Sequence, residues 1–563
     1  MSTDQQAVTH GGAQAVAAAR AHGVRTMFTL SGGHVFPVYD GAVKADPPMP
    51  IIDVRHEQTA VFAAEATARL TRTPGFAVLT AGPGVTNGIS AITTAHFNGS
   101  SVVVLGGRAP DYRWGSGSLQ EFDHPALLRP ITKRAWTEHD PAAVGRSVSE
   151  AFELAEARHR GPVFLDVALE ALFGSPDPDR TGPASPASLP RQAGTAPGGV
   201  DPADIAEIVR LLGSAARPVL VLGSDVWLDG AEAAARAAAE ELRLPVVTNG
   251  QGRGILPAGH DLLVTRARSV ALGEADLVIV AGTPLDFRLG YGEYGGKSDT
   301  GRAAVVHVAD SAGQIAAHVS LAASASGDLT AFFTELVRAA QRAGIGPRWT
   351  EDWLPRLAGA TRSAVAADGP LLASDAFPIH PMRIYGELAP LLAPDAVVIG
   401  DGGDFVSYAG KYIEPRQPGG WLDPGPYGCL GTGLGYAIAA RIARPQAQVV
   451  LMLGDGAAGF SLMDVDTCVR HRLPVVMICG NNGIWGLEKH PMQALYGYDV
   501  AADLQPECRY DEVVTALGGA GELVTRAEEI GPALRRAFES GLPYLVNVAT
   551  DPAIAYPRST TGV

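Results

Sequence analysis

Gln448-Val-Val-Leu-Met-Leu-Gly-Asp-Gly456 is a run of β-forming residues that leads straight into a glycine turn. The run predicts a buried parallel strand, which places Asp455 at its carboxyl end, where α/β sheets bind ligands. A second apolar run, Leu473-Pro-Val-Val-Met-Ile-Cys479, ends in the same way at Asn481-Asn482. Two neighbouring strand ends would then direct a carboxylate and an amide oxygen at one point. Because Mg²⁺ binds such oxygen ligands together with phosphate oxygens, the pattern predicts a magnesium-diphosphate site.

Length and composition predict a large, acidic α/β protein. A chain of 563 residues is too long for one core and suggests three or four domains. The net charge of −15 argues against nucleic acid as a partner. No apolar stretch reaches the length of a membrane span, and the N-terminus lacks a basic region followed by an apolar run. Four cysteines without metal-type spacing favour reduced thiols and a cytoplasmic location.

Three segments are expected, each with alternating β-rich and alanine-rich helical runs, as in parallel sheets covered by helices. Proline, glycine and small polar residues dominate 174–201, which predicts a linker. A second, weaker linker is predicted at 344–369. The three segments are therefore 1–173, 202–343 and 370–563.

Gly-Asp-Gly followed at this distance by Asn-Asn resembles the signature of thiamine diphosphate (ThDP) enzymes. Such enzymes need a carboxylate that promotes the imino form of the cofactor's own aminopyrimidine. In Asp53-Val-Arg-His-Glu-Gln-Thr-Ala60, Glu57 matches that family position, although an acid at a helix start is its simplest structural explanation. The resemblance implies three doubly wound parallel-sheet domains, which are pyrimidine-binding, middle and diphosphate-binding in chain order. It also implies ThDP and Mg²⁺ as cofactors, with the metal held by Asp455, Asn482 and Ile484.

The same resemblance assigns further contacts to loops and strand ends. His34 is a candidate proton donor or substrate contact, or else a packed histidine. Gln120 is expected to border the active site, and Leu127 and Leu487 to limit the acyl pocket. Leu430 matches the apolar residue that wedges between the cofactor rings. The full set of expected cofactor contacts is Gly33, Pro83, Asn87, Asp404, Phe405, Gly428, Leu430, Gly454, Gly456, Ala457, Ala458, Asn482, Ile484, Trp485 and Gly486.

Two reactions remain open within this resemblance. Arg55-His-Glu-Gln58 and Ser31-Gly-Gly-His34 match acetolactate synthases, which condense two 2-oxo acids with decarboxylation. The middle segment and Gly428-Cys-Leu-Gly-Thr-Gly433 are closer to oxalyl-CoA decarboxylases and 2-hydroxyacyl-CoA lyases, and the residues after Asn482 also differ from acetolactate synthases. We favour the lyase, which cleaves a 2-hydroxyacyl-CoA to formyl-CoA plus an aldehyde or ketone. The middle segment would then hold ADP or CoA in preference to FAD.

The lyase interpretation gives roles to several charged residues. Arg266, Arg268 and Arg288 would bind CoA or nucleotide phosphates, unless they form ordinary ion pairs. A short helix is expected after Asn482, and it would place a buried Glu488 near the reacting atoms as a proton acceptor and donor. The alternative is that Glu488 belongs to a solvated Glu-Lys pair on a surface helix. The resemblance also implies at least a homodimer, and commonly a homotetramer. An alternative of another class is a catalytically silent protein that holds nucleotide or cofactor.

Overall fold

The computed structural model of the chain describes residues 10–175, 199–297, 301–554 and residue 556. Three sheets lie within these residues, and every pairing between their strands is parallel. The expected class of three parallel-sheet α/β domains is therefore confirmed. Most of the predicted linker 174–201 lies outside the described residues.

The first sheet has six strands in the order β2-β1-β3-β4-β6-β5. Its strands are β1 (Met27–Thr29), β2 (Ile51–Asp53), β3 (Gly75–Leu79), β4 (Val102–Arg108), β5 (Ala135–Glu138) and β6 (Val163–Ala168). Its helices are α1 (Gly11–Ala21), α2 (Phe36–Lys44), α3 (Glu57–Thr71), α4 (Pro83–Asn87), α5 (Ile89–Phe97), α6 (His124–Leu128), α7 (Val144–Glu156) and α8 (Leu169–Phe173). The central strands β3 and β4 are buried along their whole length, as parallel strands covered on both faces are.

The second sheet has five strands in the order β11-β10-β9-β7-β8. Its strands are β7 (Pro218–Leu222), β8 (Val246–Thr248), β9 (Leu277–Ala281), β10 (Ala304–Ala309) and β11 (Ala323–Ser326). The helices of this region are α9 (Pro202–Ser214), α10 (Ser224–Leu228), α11 (Glu232–Glu241), α12 (Arg268–Glu274), α13 (Leu329–Arg342) and α14 (Trp353–Leu372).

Helix α14 occupies much of the segment 344–369, which the sequence predicts as a linker. Trp353 and Leu357 at its start are buried in the core of the second sheet, and the indole N–H of Trp353 donates to the Pro218 carbonyl at 3.1 Å. Burial of these large apolar side chains explains why the segment is helical rather than an extended linker. The domain boundaries themselves stay predictions.

The third sheet has six strands in the order β13-β12-β14-β15-β17-β16. Its strands are β12 (Val397–Asp401), β13 (Trp421–Leu422), β14 (Val449–Gly454), β15 (Val476–Asn481), β16 (Ala520–Val524) and β17 (Tyr544–Ala549). The remaining helices are α15 (Pro381–Leu388), α16 (Asp404–Tyr412), α17 (Gly433–Ala443), α18 (Asp455–Ser461), α19 (Val465–Arg470), α20 (Gly486–Tyr496), α21 (Tyr510–Ala516) and α22 (Ile530–Glu539).

Strands β14 and β15 confirm the two strands predicted from the apolar runs. They are direct neighbours, with Gly454 opposite Gly480, and β12 pairs with the other edge of β14. Because all three strands are parallel, their carboxyl ends lie at one edge of the sheet. Asp401 and Asn481 end β12 and β15 at that edge, and Asp455 directly follows the end of β14.

The chain divides into two compact units. One lies within Met1–Ala196, Tyr427–Pro445 and Ser461–Leu473, and the other within Pro197–Pro426, Gln446–Phe460 and Pro474–Val563. Helices α17 and α19 thus belong to the unit of the first sheet, although they alternate along the chain with strands of the third.

Helix α3 is held against α17 inside the first unit. A Cβ on Gly435 would lie 2.7 Å from Cβ of Phe62 and 3.0 Å from the Thr59 carbonyl oxygen, so the helices meet where only glycine fits. Tyr436 donates from its hydroxyl to buried Glu65 at 2.7 Å, and its ring meets that of Phe62 edge-on at 5.9 Å. These contacts fix the helix that begins with Glu57.

Gly435→Ala is expected to destabilise the chain by about 1–3 kcal/mol, because the added methyl forces α3 and α17 apart in a close-packed core. Urea unfolding of both proteins measures this difference. Gly359→Ala is the matched control, since the nearest atom to its new Cβ is 3.9 Å away and alanine favours a helix interior. Equal stability of the Gly435 variant and wild type would contradict the packing argument.

Candidate active site

Glu57 is the first residue of α3 and is buried, with 6% of its surface exposed. The side chain of His56 caps the helix by accepting a hydrogen bond from the Gln58 N–H at 3.2 Å. Oε2 of Glu57 accepts a hydrogen bond from Nδ2 of Asn87 at 3.0 Å. Oε1 has no hydrogen-bond partner among the described residues and lies 3.8 Å from where a Cβ on Gly84 would stand. One carboxylate oxygen therefore remains available to a ligand.

Two anchors hold the first turn of α3. Asp464 accepts hydrogen bonds from the Arg55 N–H at 2.7 Å and from the Thr59 hydroxyl at 2.6 Å. Arg470 donates to the Asp53 carboxylate at 2.7 Å, just before the helix. The sequence offers no signal for the Asp464 contacts, since they join residues about four hundred positions apart.

His34 lies in the short turn Gly33–Val35, with Gly33 exposed beside it. Its Nδ1 is 3.1 Å from the hydroxyl oxygen of Thr80. Partial burial lowers the pKa of His34, so the ring is neutral at physiological pH. Sequence reasoning missed Thr80, which ends the buried run of β3 immediately before the glycine turn that the resemblance singles out.

Gln120 and the Gly82 turn are in direct contact. A Cβ on Gly82 would meet Cβ of Gln120 at 2.8 Å, and both residues have positive φ. Pro83 and Asn87 on the same turn are exposed in the single chain. The structure thus brings the predicted residues Glu57, Asn87, Pro83 and Gln120 together around one turn. Leu127 lies on α6 and is 41% exposed.

Asp455 opens α18 directly after β14 and is 4% exposed. Its carboxylate accepts hydrogen bonds from the N–H groups of Gly456 at 2.9 Å and Gly483 at 2.6 Å. Burial raises the pKa of Asp455 to about 6, even though these N–H groups favour the ionised form. A buried carboxylate with so few compensating charges is suited to a cation.

Asn481 and Asn482 have different environments. Nδ2 of Asn481 donates to the Cys508 carbonyl at 3.0 Å and to Oδ1 of Asn547 at 3.1 Å, so this side chain belongs to the sheet interior. Oδ1 of Asn482 accepts from the Ile484 N–H at 3.2 Å. Asn482 directly follows β15 and precedes Gly483, whose N–H donates to Asp455. Its role as a metal ligand stays a prediction.

Glycines let the 484–487 segment approach the neighbouring strand ends. A Cβ on Gly456 would stand 2.5 Å from the Trp485 ring, and one on Gly403 would stand 2.3 Å from Leu487. The Trp485 N–H donates to the Ala502 carbonyl at 2.8 Å, which holds the segment from its other side. Close approach of this kind leaves backbone N–H groups near the strand ends, where a diphosphate would bind.

The other predicted cofactor contacts in the unit of the third sheet border the same loops. Asp404 begins α16, accepts from the Tyr556 N–H at 2.8 Å and would meet a Cβ on Gly486 at 3.1 Å. Phe405 is buried and packs on the Tyr385 ring at 5.2 Å. Gly454, Ala457, Ala458 and Ile484 line the Asp455 turn and are at least partly buried.

Gly428 and Leu430 belong to the unit of the first sheet. Gly428 is exposed with a φ of +69°, and Leu430 is half-buried. The contact of Leu430 with the cofactor rings stays a prediction.

Glu488 differs from its prediction. It lies in the first turn of α20, which confirms the expected helix, but it is exposed in the single chain rather than buried. Leu487, beside it, is half-buried.

The three predicted phosphate-binding arginines already have partners inside the protein. Arg266 pairs with Asp368, Arg288 pairs with Asp286 at 2.7 Å, and Arg268 donates to the Arg288 carbonyl at 2.6 Å. Ion pairs with carboxylates weaken their attraction for phosphate. Arg266 and Arg288 therefore form ordinary ion pairs, which was the alternative to phosphate binding.

Each of the two units, taken by itself, carries residues that suit one part of a thiamine diphosphate cofactor. Glu57 offers one open carboxylate oxygen, and the Asp455 turn offers a buried carboxylate, an adjacent amide oxygen and closely packed backbone turns. The family models agree with this geometry. Residues 9–127 match the thiamine pyrophosphate enzyme N-terminal TPP binding domain, residues 205–336 the central domain and residues 401–548 the C-terminal TPP binding domain.

The chain belongs to the thiamine pyrophosphate enzyme family. Relatives of this family match along almost its whole length. It is 50% identical to a probable acetolactate synthase of Mycobacterium bovis and to acetolactate synthase large subunit IlvG of Mycobacterium tuberculosis, over 99% of each chain. It is 33% identical to 2-hydroxyacyl-CoA lyase 2 of Mus musculus, over 93% of this chain and 86% of the relative.

These comparisons confirm a ThDP-dependent enzyme, so the alternative of a silent binding protein is set aside. They do not support the preference for the lyase reaction, because the relatives that carry the lyase name are the more distant ones. Within the described residues of this thiamine pyrophosphate enzyme, no helix is both long and apolar enough to span a bilayer.

Proposed function

We propose that the chain is an acetolactate synthase, which joins two 2-oxo acids with loss of carbon dioxide. The observation that carries the proposal is 50% identity over 99% of both chains to proteins of that name. The intact Glu57–Asn87 pair and Asp455 turn support it, because a protein that had lost this chemistry would not need a buried carboxylate of raised pKa.

The chain's residues have distinct roles in this proposal. Bound thiamine diphosphate would supply a nucleophilic carbon and an electron sink. Glu57 holds a proton through its open oxygen Oε1 and is oriented by Asn87. Asp455, Asn482 and Ile484 would hold Mg²⁺, and the turns at Gly403 and Gly456 would hold the diphosphate. Neutral His34 and Gln120 offer hydrogen bonds to the carboxylate or carbonyl of a 2-oxo acid.

The second candidate is 2-hydroxyacyl-CoA cleavage. The segment Gly483-Ile-Trp-Gly-Leu-Glu488 supports it, together with the 33% identity to the mouse lyase. The pairing of Arg266 with Asp368 and of Arg288 with Asp286 counts against it, because CoA phosphates would have to compete with carboxylates for both side chains.

A parallel assay separates the two candidates. Purified protein with ThDP and Mg²⁺ is given pyruvate in one reaction and a short 2-hydroxyacyl-CoA in the other. We expect acetolactate from pyruvate and no formyl-CoA from the thioester. Thioester cleavage with pyruvate untouched would overturn the proposal in favour of the lyase.

Glu488→Gln provides an internal check on the choice of reaction. Under the acetolactate proposal the exposed Glu488 takes no proton in the chemistry, and kcat with pyruvate should change less than about threefold, as for a surface charge. A loss of 10²-fold or more would indicate the general acid-base role that the lyase interpretation assigns. Glu150→Gln, a change at another surface ion pair, is the control.

The remaining features of the enzyme are also proposals. The middle segment is proposed to hold ADP or CoA in preference to FAD, and flavin absorbance of the purified protein checks this. A homodimer is the proposed minimum and a homotetramer the proposed state, which light scattering after size-exclusion chromatography measures. A cytoplasmic location is proposed because the four cysteines form no disulfide with one another in the structure.

A further inference from the structure

A buried hydrogen-bond chain lies behind the glycine turn that carries Pro83. His124, the first residue of α6, is fully buried, and its Nε2 is 2.9 Å from the Gly82 backbone nitrogen. Its Nδ1 is 3.0 Å from Oδ1 of Asp166, and Oδ2 of Asp166 is 3.3 Å from Nη1 of Arg108. A chain of hydrogen bonds thus runs from Arg108 on β4 through Asp166 on β6 and His124 on α6 to the backbone N–H of Gly82.

The backbone N–H decides which nitrogen of His124 carries the proton. A backbone N–H can only donate, so Nε2 must be the acceptor. Nδ1 therefore carries the proton and donates it to Asp166. The carboxylate, supported by Arg108, locks the ring in this one tautomer.

The held turn contacts both sides of the candidate active site. Gly82 has a φ of +60°, and a Cβ added to it would lie 2.8 Å from Cβ of Gln120. The turn continues directly into α4, whose last residue, Asn87, donates to Glu57. Rotation of the Gly82 peptide would thus displace Gln120 and the partner of Glu57 together.

Arg108 connects the same network to the loop of Gln120. Its guanidinium lies 3.5 Å from the centre of the Trp114 ring, six residues before Gln120, and contacts Asp111 at 3.4 Å. Among the described residues, the charged side chains that contact Asp166 are His124 and Arg108. Burial raises the pKa of Asp166.

A purely structural role does not require these polar groups. Phe122 and Phe164 flank the His124 ring at 5.6 and 6.2 Å, so an apolar side chain could pack in the same space. Replacing a buried polar set by well-packed apolar residues is often neutral or stabilising. The presence of a histidine, a carboxylate and a guanidinium instead indicates that the Gly82 N–H has to point in one direction.

We propose that His124, held in one tautomer by Asp166, is a positioning residue that fixes the Gly82 turn and thereby places Gln120 and the Asn87–Glu57 pair. This inference rests on the proposed function, because it concerns the same site. It adds a fully buried residue that acts through the backbone N–H of Gly82.

Two isosteric changes test the two ends of the ring separately. In His124→Gln the amide oxygen can reach the Nε2 position and accept from Gly82. In His124→Asn the amide reaches only the Nδ1 position, which keeps Asp166 satisfied and leaves the Gly82 N–H without a partner. His22→Gln is the control, a buried histidine whose partners Ser149 and Phe152 belong to none of the site contacts.

Amide exchange gives a readout that does not depend on turnover. In full-length protein without added cofactor, hydrogen exchange at Gly82, followed by mass spectrometry of the peptide that contains it, should accelerate about 10- to 100-fold in His124→Asn, as expected when a buried N–H loses its partner. His124→Gln should restore exchange to within about threefold of wild type. Equal exchange in the Asn variant and wild type would overturn the inference.

Kinetics and cofactor binding complete the test. His124→Asn should lower kcat with pyruvate about 10- to 100-fold with little change in the KM for pyruvate, and the Gln variant should recover most of it. If both variants lose activity equally in proportion to a lower melting temperature, the role is structural and the inference fails. The proposed function and the inference can fail separately. If wild type makes no acetolactate, the proposed function fails. The inference still stands if His124→Asn binds ThDP more weakly than wild type, measured by tryptophan fluorescence, and exchanges the Gly82 N–H faster than wild type.

Discussion

Glu57→Gln is expected to lower kcat by about 10²- to 10⁴-fold, the range that a positioned proton-transfer group contributes. The amide has the shape of the carboxylate, and its oxygen can still accept from Asn87, so α3 should keep its first turn. What the variant loses is the ionisable oxygen that faces no protein partner. Steady-state turnover of pyruvate with saturating ThDP and Mg²⁺ measures the effect.

The controls for this variant separate chemistry from folding. Its melting temperature should stay close to wild type, and its affinity for ThDP should fall far less than its turnover. Glu150→Gln, which removes a surface partner of Arg134, should leave kcat unchanged. Near-normal turnover of Glu57→Gln would remove Glu57 from the chemistry.

Asp455→Asn is expected to abolish Mg²⁺-dependent binding of ThDP at ordinary metal concentrations. Even the outer partners of metal ligands cost 10- to 100-fold in affinity when they are removed, so loss of the ligand itself should cost more than about 100-fold. Tryptophan fluorescence titrations at fixed Mg²⁺ measure this, with Asp261→Asn, a surface carboxylate beside Arg243, as the control. Unchanged affinity would contradict the proposed metal site.

The pH dependence of the same residue provides a second measurement. Asp455 has an ordinary pKa of 3.8 that burial raises to about 6, so the folded chain without metal holds this proton more tightly than the unfolded chain does. Its contribution to stability is therefore greatest below about pH 4 and is lost as the pH rises through 6. A difference of about two pH units corresponds to about 3 kcal/mol.

Comparing wild type with Asp455→Asn isolates this contribution. Without metal, the free energy of unfolding of wild type should fall relative to the variant between about pH 4 and 7. With Mg²⁺ present, the affinity of wild type for the metal should instead weaken as the pH drops below 6, because protons compete for the same oxygen. A pH-independent difference between the two proteins would contradict the raised pKa.

The strands and the cofactor turns were accessible to sequence reasoning because both are local. Continuous apolar runs predicted β14 and β15, and Asp455 and Asn482 follow those strand ends directly. The position of Glu57 at a helix start was likewise predictable from its immediate neighbours. The position of each of these residues is decided by a few adjacent positions in the chain.

Residues whose role depends on distant partners could not be predicted. His124 has no distinctive neighbours in the sequence, and its contacts with Gly82 and Asp166 each join residues 42 positions apart. The burial expected for Glu488 failed for a similar reason, since exposure depends on what covers a helix rather than on the helix itself. The choice between phosphate binding and ion pairing for the arginines likewise depended on distant residues, since Arg266 pairs with Asp368 about a hundred positions away.

The packing of α17 on α3 limits how this chain can be recombined with its relatives. A chimaera that takes its C-terminal half from another enzyme brings in a foreign counterpart of Gly435 and Tyr436, yet keeps the native Phe62 and Glu65 that they must fit. Such a hybrid would misplace the helix that begins with Glu57, the proposed catalytic carboxylate, even with every proposed site residue intact. Exchanges between homologues should therefore transfer α3 and α17 together.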